Sequence, residues 1–462
     1  MIRYASTRGR APELGFSDVL LTGLASDGGL YCPVEVPGLP ALAEASAGTS
    51  YADIAQQVMW PFVEGSIEPD EWVALVAESY VGFRHPDVCP VVELGHNQYL
   101  LDLTQGPTLA FKDVALQLVG RLLDRELARR QERVVVLGAT SGDTGSAAIE
   151  ALAGRPNVVA VVLHPHNRVS DVQRRQMTTV TADNIYNLAV EGSFDDCQDL
   201  VKAAFVAPEL SGRNLAAVNS INWARIMAQI VYYVTSTRTV APNGQPVSFT
   251  VPTGNFGNVL AGWYAKRMGL PIDQLVVASN RNDVLTRFLE TGKLEARTVE
   301  ATLSPSMDIQ ISSNFERLLW EASDRQGAAV AELLGRFRAD AQVEVPEPWV
   351  ARIRQEFTGC RLSDPETLAE MKRIYDELGL LVDPHTAVGL AAARALGRDP
   401  SVPMITLATA APAKFPDAVA QATGARPPLP PFLSELFDRR ERFDVISCDL
   451  DTLLRFVAAL PA

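Results

Sequence analysis

Cysteine is scarce in this sequence, and long apolar runs are missing. The five cysteines of the 462-residue chain are scattered, and none forms a Cys-x-x-Cys pair. This pattern argues against structural zinc and for a reducing compartment, where the cysteines are expected to be free core thiols. No run of about 18 apolar residues occurs, and residues 1–15 contain no apolar segment, so neither export nor membrane spanning is indicated. We therefore expect a cytoplasmic protein.

Positive charge and histidine are also in short supply. The chain has 55 acidic and 41 basic residues, a net charge of −14, and no basic stripe. Nucleic acid is therefore not an expected partner, because proteins bind phosphate backbones through clustered lysine and arginine. Of the five histidines, His164 and His166 flank Pro165 without a further ligand at helical spacing, so no metal site is expected.

Short apolar runs alternate with helical patterns from about residue 99 onward. The pattern predicts strands at 134–137, 158–163, 184–190, 247–251, 275–278 and 403–407, with helices between them. Strands in such an alternation are parallel and buried on both faces, which predicts an α/β fold of two lobes. A single helix is predicted over 315–337.

The patterns also divide the chain into three expected domains. Residues 1–94 combine turn signals with helical patterns such as 51–64 and 70–79, which predicts a mainly helical N-terminal domain. Residues 95–420 form the two-lobe domain. Residues 421–462 contain a proline-rich stretch at their start and are expected to form a tail that packs on that domain.

One lysine stands after a Gly-Pro turn and at the start of a helix. The stretch at 106–113 reads Gly-Pro-Thr-Leu-Ala-Phe-Lys-Asp, and the apolar residues after it recur at helical spacing. Unpaired N–H groups and the positive end of the helix dipole gather around Lys112, so a permanent positive charge is poorly placed there. A desolvated lysine near positive potential has a lowered pKa and becomes a nucleophile suited to Schiff-base chemistry. The alternative is an ordinary lysine that extends from the helix start into water.

Two glycine-containing loops each join a buried strand to a helix. They read Leu-Gly-Ala-Thr-Ser-Gly-Asp-Thr-Gly-Ser at 137–146 and Pro-Thr-Gly-Asn-Phe-Gly-Asn at 252–258. Glycines and polar side chains at a helix N-terminus form an anion site, and a tight turn built from small residues is the simpler alternative. The first loop lacks the Gly-Lys-Ser/Thr ending of a nucleotide-binding P-loop.

Two anion sites and one nucleophilic lysine together indicate pyridoxal phosphate. One site would hold the cofactor's phosphate, the other an anionic group of the substrate, and Lys112 would bind the cofactor's aldehyde. Thr409 follows a predicted strand, and its hydroxyl is able to hydrogen-bond a pyridine nitrogen without fully protonating it.

Four motifs, taken in order along the chain, resemble the threonine synthase family. They are the stretches 106–113 and 252–258, Ala-Thr-Ser-Gly-Asp-Thr-Gly at 139–145 and Asp-Pro-His-Thr-Ala-Val at 383–388. Leu-Ala-Ser-Asp-Gly-Gly-Leu-Tyr at 24–31 is similar to that family's N-terminal domain. The likeness is to the bacterial and fungal branch. It implies the two-lobe fold type II of pyridoxal-phosphate enzymes, the tryptophan synthase beta-like fold, with residues 95–420 as the catalytic domain.

The resemblance implies the site residues as well. Lys112 is the implied catalytic residue, and the implied cofactor-binding residues are Lys112, Asp143, Gly254, Asn255, Phe256, Gly257, Asn258 and Thr409. Asp143 stands where many relatives of this fold have an asparagine near the 3-oxygen of the ring. Ala408 and Ala411 replace the family's usual glycine and serine, so the contact with the pyridine nitrogen depends on Thr409.

The same assignment leaves a set of residues for the substrate. Because the cofactor's phosphate is placed at 254–258, the other anion loop is assigned to the substrate through Thr140, Ser141 and Thr144. Asn222 and Arg225 are added as substrate contacts on the resemblance alone.

The activity that the resemblance implies is a lyase reaction in threonine biosynthesis. O-phospho-L-homoserine and water are converted to L-threonine and phosphate by γ-elimination and β-hydration, the last step of that pathway. A dehydratase of serine or threonine, a phospho-lyase or amino-acid sensor without water addition, and a nucleotide-binding protein stay open as alternatives. The expected partner is the small-molecule substrate, and the expected state is a monomer or homodimer.

Overall fold

The chain folds into two units, and each unit is assembled from two separate segments of sequence. A computed structural model describes residues 1–40, 49–217, 220–396 and 399–461. One unit consists of Met1–Gln105 and Ser220–Pro427, and the other of Gly106–Asn219 and Pro428–Ala462. The predicted domain boundaries near 94 and 420 stay a prediction.

The first segment of the first unit is rich in helix. Its elements are β1 (Tyr4–Ser6), α1 (Phe16–Thr22), β2 (Tyr31–Pro33), α2 (Tyr51–Val63), α3 (Pro69–Tyr80), β3 (Val91–Gly95) and β4 (Gln98–Asp102). Helix α2 starts at a capping box formed by Ser50 and Asp53, in which each side chain accepts a bond from the other's backbone N–H. Helices α2 and α3 confirm the two helices predicted in the N-terminal region.

The segment that carries Lys112 alternates helices and strands as predicted. Its elements are α4 (Lys112–Arg130), β5 (Val134–Ala139), α5 (Asp143–Leu152), β6 (Val158–Pro165), α6 (Asp171–Thr178), β7 (Ile185–Glu191), α7 (Phe194–Phe205) and β8 (Leu215–Ala216). Helix α6 begins at a capping box of Ser170 and Gln173, where the side chains satisfy N–H groups that the helix leaves unpaired.

The second segment of the first unit continues the alternation. Its elements are α8 (Trp223–Val240), β9 (Val247–Pro252), α9 (Gly257–Arg267), β10 (Ile272–Ser279), α10 (Val284–Thr291), β11 (Lys293–Glu295), α11 (Phe315–Ala322), α12 (Gly327–Asp340), β12 (Gln342–Glu344), α13 (Glu347–Glu356), β13 (Phe357–Arg361), α14 (Asp364–Leu378), α15 (Pro384–Ala395), β14 (Met404–Ala408) and α16 (Pro416–Thr423).

The single helix predicted over 315–337 is wrong, because the structure has two helices there. Helix α11 ends at Ala322, and α12 begins at Gly327. Asp324 and Arg325 between them have φ angles of 55° and 64°. Two consecutive residues in the left-handed region cannot continue a right-handed helix, so the chain turns at this point.

The segment after Pro427 contains regular structure that the sequence did not predict. Strand β15 (Asp444–Ser447) pairs in parallel with β7, and helix α17 (Leu450–Ala459) follows it. Apolar side chains of this segment join the core around β5, β6 and β7, among them Ile446, Leu453, Leu454 and Val457. The segment is therefore part of the Lys112 unit.

Each unit is built around a mostly parallel sheet. The Lys112 unit has five parallel strands in the order β15-β7-β6-β5-β8. The large sheet of the other unit has six strands in the order β13-β10-β9-β14-β4-β3, all parallel except β3. Every residue of β9 and β14 is buried, as expected for strands covered on both faces. The predicted α/β class is confirmed.

The described residues include neither a membrane-spanning helix nor a cluster of metal ligands. No described helix is both long enough and apolar enough to cross a membrane. In the same ranges, no group of three or more His, Cys, Asp or Glu side chains is arranged to hold a metal ion. All five cysteines are free, but only Cys32, Cys89 and Cys197 are buried, so the predicted core position is wrong for Cys360 and Cys448.

Candidate active site

Lys112 is presented by a turn whose shape is fixed by Asp113. The Asp113 carboxylate accepts the backbone N–H of Thr108 at 2.8 Å and the Thr108 hydroxyl at 2.6 Å. A Cβ atom at Gly106 would lie 2.4 Å from Cβ of Asp113, so only glycine permits this approach. The motif Gly-Pro-Thr before the lysine therefore determines where helix α4 starts.

The Lys112 amine lies in a buried, polar environment. Its residue is only 8% exposed, and Nζ lies 3.4 Å from Oδ2 of Asp143 and 5.1 Å from the ring centroid of Phe111. Burial of an amine beside a carboxylate and an aromatic ring suits a group that must exchange protons away from bulk water.

Asp143 is held by a residue that the sequence analysis did not select. Its Oδ1 accepts a 3.0 Å hydrogen bond from Nε2 of Gln173, while Oε1 of Gln173 accepts the Ser170 hydroxyl at 3.0 Å. The capping box at α6 therefore orients the Gln173 amide so that its NH2 group faces Asp143. The Ser-x-x-Gln spacing indicates the cap, but nothing local indicates the contact with a residue 30 positions earlier.

In the loop that joins β5 to α5, one hydroxyl is hydrogen-bonded within the loop itself. The Thr140 hydroxyl oxygen accepts the backbone N–H groups of Gly142 at 2.9 Å and Gly145 at 2.8 Å. Ser141 and Thr144 are half-buried at the N-terminus of α5, where unpaired N–H groups favour an anion. Thr140 therefore shapes the loop, whereas Ser141 and Thr144 offer hydroxyls at its surface.

In the other unit, the loop 254–258 is held against a second backbone segment. A Cβ atom at Gly254 would lie 2.6 Å from the carbonyl oxygen of Ser306. The Gly254 carbonyl accepts the Ser312 hydroxyl at 2.7 Å, and the Asn255 carbonyl accepts Nδ2 of Asn314 at 3.0 Å. The loop is thus fixed before helix α9 begins.

Phe256 has an unusual backbone that aromatic packing supports. It is the residue before α9 and has a φ angle of 65°, which residues other than glycine rarely adopt. Its ring centroid lies 5.2 Å from that of Phe315 and 5.4 Å from that of Phe357. Packing of the buried ring offsets the backbone strain just before α9 begins.

The Asn258 side chain has a buried hydrogen-bond donor that the described residues leave unused. Its side-chain oxygen accepts the Tyr232 hydroxyl at 2.6 Å and the Tyr233 hydroxyl at 3.0 Å. Its Nδ2 is buried, and none of the described residues accepts a hydrogen bond from it. A buried donor, two glycines and a helix N-terminus on one loop fit a bound phosphate group.

Thr409 leaves the same sheet at the same edge as this loop. Strands β9 and β14 are parallel neighbours, with Thr250 opposite Thr406. Thr409 follows β14 and is buried, while the loop 254–258 follows β9. Ligands of open α/β sheets bind at the carboxyl ends of the strands, so this edge is the expected location.

Asn222 and Arg225 lie at the start of α8 in the same unit. The Asn222 side chain caps that helix by accepting the Ala224 N–H at 3.0 Å, and it donates to the Leu20 carbonyl at 2.8 Å. Arg225 is buried, and burial lowers its pKa to about 10. Their predicted contact with the substrate stays a prediction.

Comparisons with known proteins agree with this arrangement. The family described as pyridoxal-phosphate dependent enzyme matches residues 90–334. With its two mostly parallel sheets, the chain has the α/β fold of pyridoxal-phosphate enzymes of fold type II. The descriptions "Threonine synthase N terminus" and "Threonine synthase, C-terminal" match residues 3–80 and 386–457. The chain belongs to the threonine synthase family.

Individual relatives cover almost the whole chain. A threonine synthase of Pseudomonas aeruginosa is 52% identical over 99% of this chain and 98% of its own. The crystal structure of a threonine synthase with bound pyridoxal phosphate from Brucella melitensis has a TM-score of 0.96, with 50% identity over 99% of both chains. The yeast threonine synthase structure has a TM-score of 0.93, with 38% identity over 99% of this chain and 98% of its own. The resemblance noted in the sequence is confirmed.

Proposed function

We propose that the protein catalyses the threonine synthase reaction. O-phospho-L-homoserine and water are converted to L-threonine and phosphate by γ-elimination and β-hydration, the last step of threonine biosynthesis. The observation that carries this proposal is a buried lysine together with two anion-type loops, in a chain similar over nearly its full length to threonine synthases.

The proposed cofactor is pyridoxal 5'-phosphate, held by the residues predicted from the sequence. When bound, it supplies an electron sink for negative charge next to the substrate's amino group. We assign the cofactor's phosphate to Gly254, Asn255, Phe256, Gly257 and Asn258, the pyridine nitrogen to Thr409 and the 3-oxygen side of the ring to Asp143. The buried donor of Asn258 supports the first of these assignments.

Lys112 has two proposed tasks. Its amine would hold the cofactor's aldehyde, and once free it would move first the α proton and then the β proton of the substrate. Oδ2 of Asp143, 3.4 Å away, is close enough to accept a hydrogen bond from this amine. The turn fixed by Asp113 holds the backbone from which this amine extends.

The proposed substrate residues are Thr140, Ser141, Thr144, Asn222 and Arg225. Ser141 and Thr144 offer hydroxyls at the N-terminus of α5, which favours the substrate's carboxylate by charge and by hydrogen bonding. Thr140 acts through the shape of the loop, because its oxygen already accepts two backbone bonds.

Product analysis tests the function. Purified protein with pyridoxal phosphate and O-phospho-L-homoserine should release equal amounts of L-threonine and phosphate. A 2-oxo acid as the product would instead indicate a lyase or dehydratase, and no turnover would indicate a sensor.

Lys112→Ala supplies the matched chemical test. Borohydride should attach the cofactor covalently to Lys112 in the unaltered protein, as peptide mapping would reveal, and Lys112→Ala should abolish both attachment and turnover. Attachment at another lysine with normal turnover would overturn the assignment.

We also propose that the protein works in the cytoplasm as a monomer or homodimer on a small-molecule substrate, without nucleic acid or membrane partners. The net charge of −14 and the scattered, unpaired cysteines support this proposal. Cell fractionation and light scattering of the purified protein test location and assembly.

A further inference from the structure

The two tyrosines behind Asn258 have no task in the reaction as described so far. Tyr232 and Tyr233 are adjacent residues of α8, and both are fully buried. Their hydroxyls converge on one atom, Oδ1 of Asn258, at 2.6 Å and 3.0 Å. Tyr233 also lies 2.9 Å from the Asn258 carbonyl oxygen, so its hydroxyl contacts both acceptors of that residue.

The hydrogen-bond distances fix which way the Asn258 amide faces. A separation of 2.6 Å is normal for an O–H···O bond and shorter than N–H···O bonds usually are. Burial raises the pKa of both phenols well above the usual value, so each keeps one proton to donate. The Tyr232 hydroxyl also lies 3.2 Å from Oε1 of Gln229, but Oδ1 of Asn258 at 2.6 Å is its nearer acceptor. The amide oxygen therefore faces α8, and its NH2 group points away from the tyrosines.

Helix α9 is shaped to let the tyrosines reach this position. Gly262 lies four residues after Asn258 and therefore on the same face of α9. A Cβ atom at Gly262 would lie 2.7 Å from Cε1 of Tyr233, so only glycine leaves room for the ring. The Tyr233 ring also packs against Phe249, with 4.7 Å between the ring centroids. These contacts restrict the position of the Tyr233 ring, and in that position its hydroxyl reaches Asn258.

The Asn258 NH2 group is left as a buried donor without an acceptor. The residue is 7% exposed, and Nδ2 bonds to no described part of the chain. An unsatisfied buried donor destabilises a fold unless a ligand supplies the acceptor. A phosphate oxygen next to the N-terminus of α9 is an acceptor of the required charge.

We infer that Tyr232 and Tyr233 are positioning residues that orient the Asn258 amide so that its NH2 group donates to the phosphate of pyridoxal phosphate. This inference rests on the proposed role of the loop 254–258 in cofactor binding. The tyrosines do not touch the cofactor themselves. They act by holding one rotamer of Asn258 before the cofactor arrives, which lowers the entropy lost on binding.

The test measures cofactor affinity in single and combined variants of the full-length protein. Cofactor is removed by dialysis, and rebinding is titrated by absorbance. Tyr232→Phe and Tyr233→Phe each remove one hydroxyl and keep the ring, and each should raise the cofactor's dissociation constant roughly two- to tenfold. Neither change should act on the dissociation constant when Asn258→Ala is already present, because the group that they orient is then missing.

Tyr264→Phe is the matched control. Tyr264 is fully buried on the same helix as Asn258, and its hydroxyl lies beside Cys32. The same loss of one phenol oxygen should leave the dissociation constant within about twofold of the unaltered protein. The ³¹P resonance of the bound cofactor should move in Tyr232→Phe and Tyr233→Phe but stay in place in Tyr264→Phe.

Gly257→Val separates failure of this inference from failure of the proposed function. A Cβ atom at Gly257 would lie 3.2 Å from Nδ2 of Asn314, so the valine should displace the loop and weaken cofactor binding. Normal binding by Gly257→Val would refute the proposed loop. Weak binding by Gly257→Val with normal binding by both phenylalanine variants, or equal losses with and without Asn258→Ala, would overturn the positioning role.

Asn258→Asp keeps the test decisive if the phenylalanine variants fold poorly. The aspartate still accepts both tyrosine hydroxyls but replaces the NH2 donor with a negative oxygen. It should therefore bind the cofactor more weakly than Asn258→Ala, and equal or tighter binding would overturn the inference.

Discussion

Replacing Gly254 by alanine should weaken cofactor binding because the loop has no room for a methyl group. The added Cβ would lie 2.6 Å from the Ser306 carbonyl oxygen and 3.3 Å from Cα of Met307. Both are backbone atoms of a turn that is itself anchored. The Ser306 N–H donates to Nε2 of His385 at 3.2 Å, and Nδ1 of His385 lies 2.6 Å from an Asp383 carboxylate oxygen.

The size of the effect follows from this geometry. Ordinary contacts of a Cβ atom begin at 3.4 Å, whereas the added Cβ would lie 2.6 Å from the Ser306 carbonyl oxygen. The loop at Gly254 would therefore have to move away by the difference, 0.8 Å. Overpacking of this kind costs about 1–3 kcal/mol. If cofactor binding must restore the original loop, the dissociation constant rises roughly 5- to 150-fold, because 1.4 kcal/mol corresponds to a factor of ten.

The assay is titration of cofactor-free protein with pyridoxal phosphate, followed by absorbance. Gly335→Ala is the control, because Gly335 lies within α12 of the same unit and an added Cβ meets nothing within 4 Å. That variant should keep the original dissociation constant and gain about 0.5–1 kcal/mol in free energy of unfolding. Equal affinities of Gly254→Ala and the unaltered protein would refute the close approach as a requirement for binding.

Three further predictions concern the substrate, the pH dependence of stability and thiol reactivity. Ser141→Ala should raise KM for O-phospho-L-homoserine about tenfold while the cofactor is retained, since a charge-assisted bond contributes about 1.5–3 kcal/mol; loss of the cofactor with normal KM would reverse the two loop assignments. Burial raises the pKa of Glu370, but hydrogen bonds from two arginines together lower it by a larger amount, so the net shift of the pKa is downward. The resulting stabilisation is present above the unfolded-state pKa and is lost as the pH falls through the folded-state value. Glu370→Gln should therefore lower Tm more at pH 7 than at pH values below the usual glutamate pKa of about 4.3, and an equal loss in both ranges would contradict this cause. Iodoacetamide should modify exposed Cys448 well before Cys197, because burial raises the pKa of the Cys197 thiol to about 12. Mass spectrometry measures the order of modification, and earlier modification of Cys197 would contradict this prediction.

The strands at the centres of the sheets could be predicted from the sequence, but those at the edges could not. Strands β5 and β6 are mostly apolar because both of their faces are buried. Strands β9 and β14 are buried along their whole length, although Ser248, Thr250 and Thr406 interrupt their apolar residues. Strand β3 lies at the edge of its sheet and has exposed Glu93 in its middle, so its apolar signal is weak. Strand β13 follows α13 without an intervening loop, and its first residue, Phe357, fits the preceding helical spacing.

The site was predictable where one stretch of sequence forms one local structure. Lys112 starts its helix as expected, and the loop 254–258 joins a buried strand to a helix. The supporting contacts were not predictable, because Gln173 meets Asp143 and Tyr232 meets Asn258 only after separate elements pack together. No local pattern encodes which two distant side chains will face each other.

Strand β15 and helix α17 affect the order in which the chain can finish folding during synthesis. The lysine-bearing unit begins with Gly106, yet its edge strand beside β7 and its last core side chains come from residues beyond 443. A ribosome must therefore complete the other unit's second segment before the unit with Lys112 is whole. A chain that ends early leaves the edge of β7 unpaired and apolar side chains uncovered, a surface that chaperones and proteases recognise. Truncated products should consequently be removed before they can present Lys112 in a complete unit.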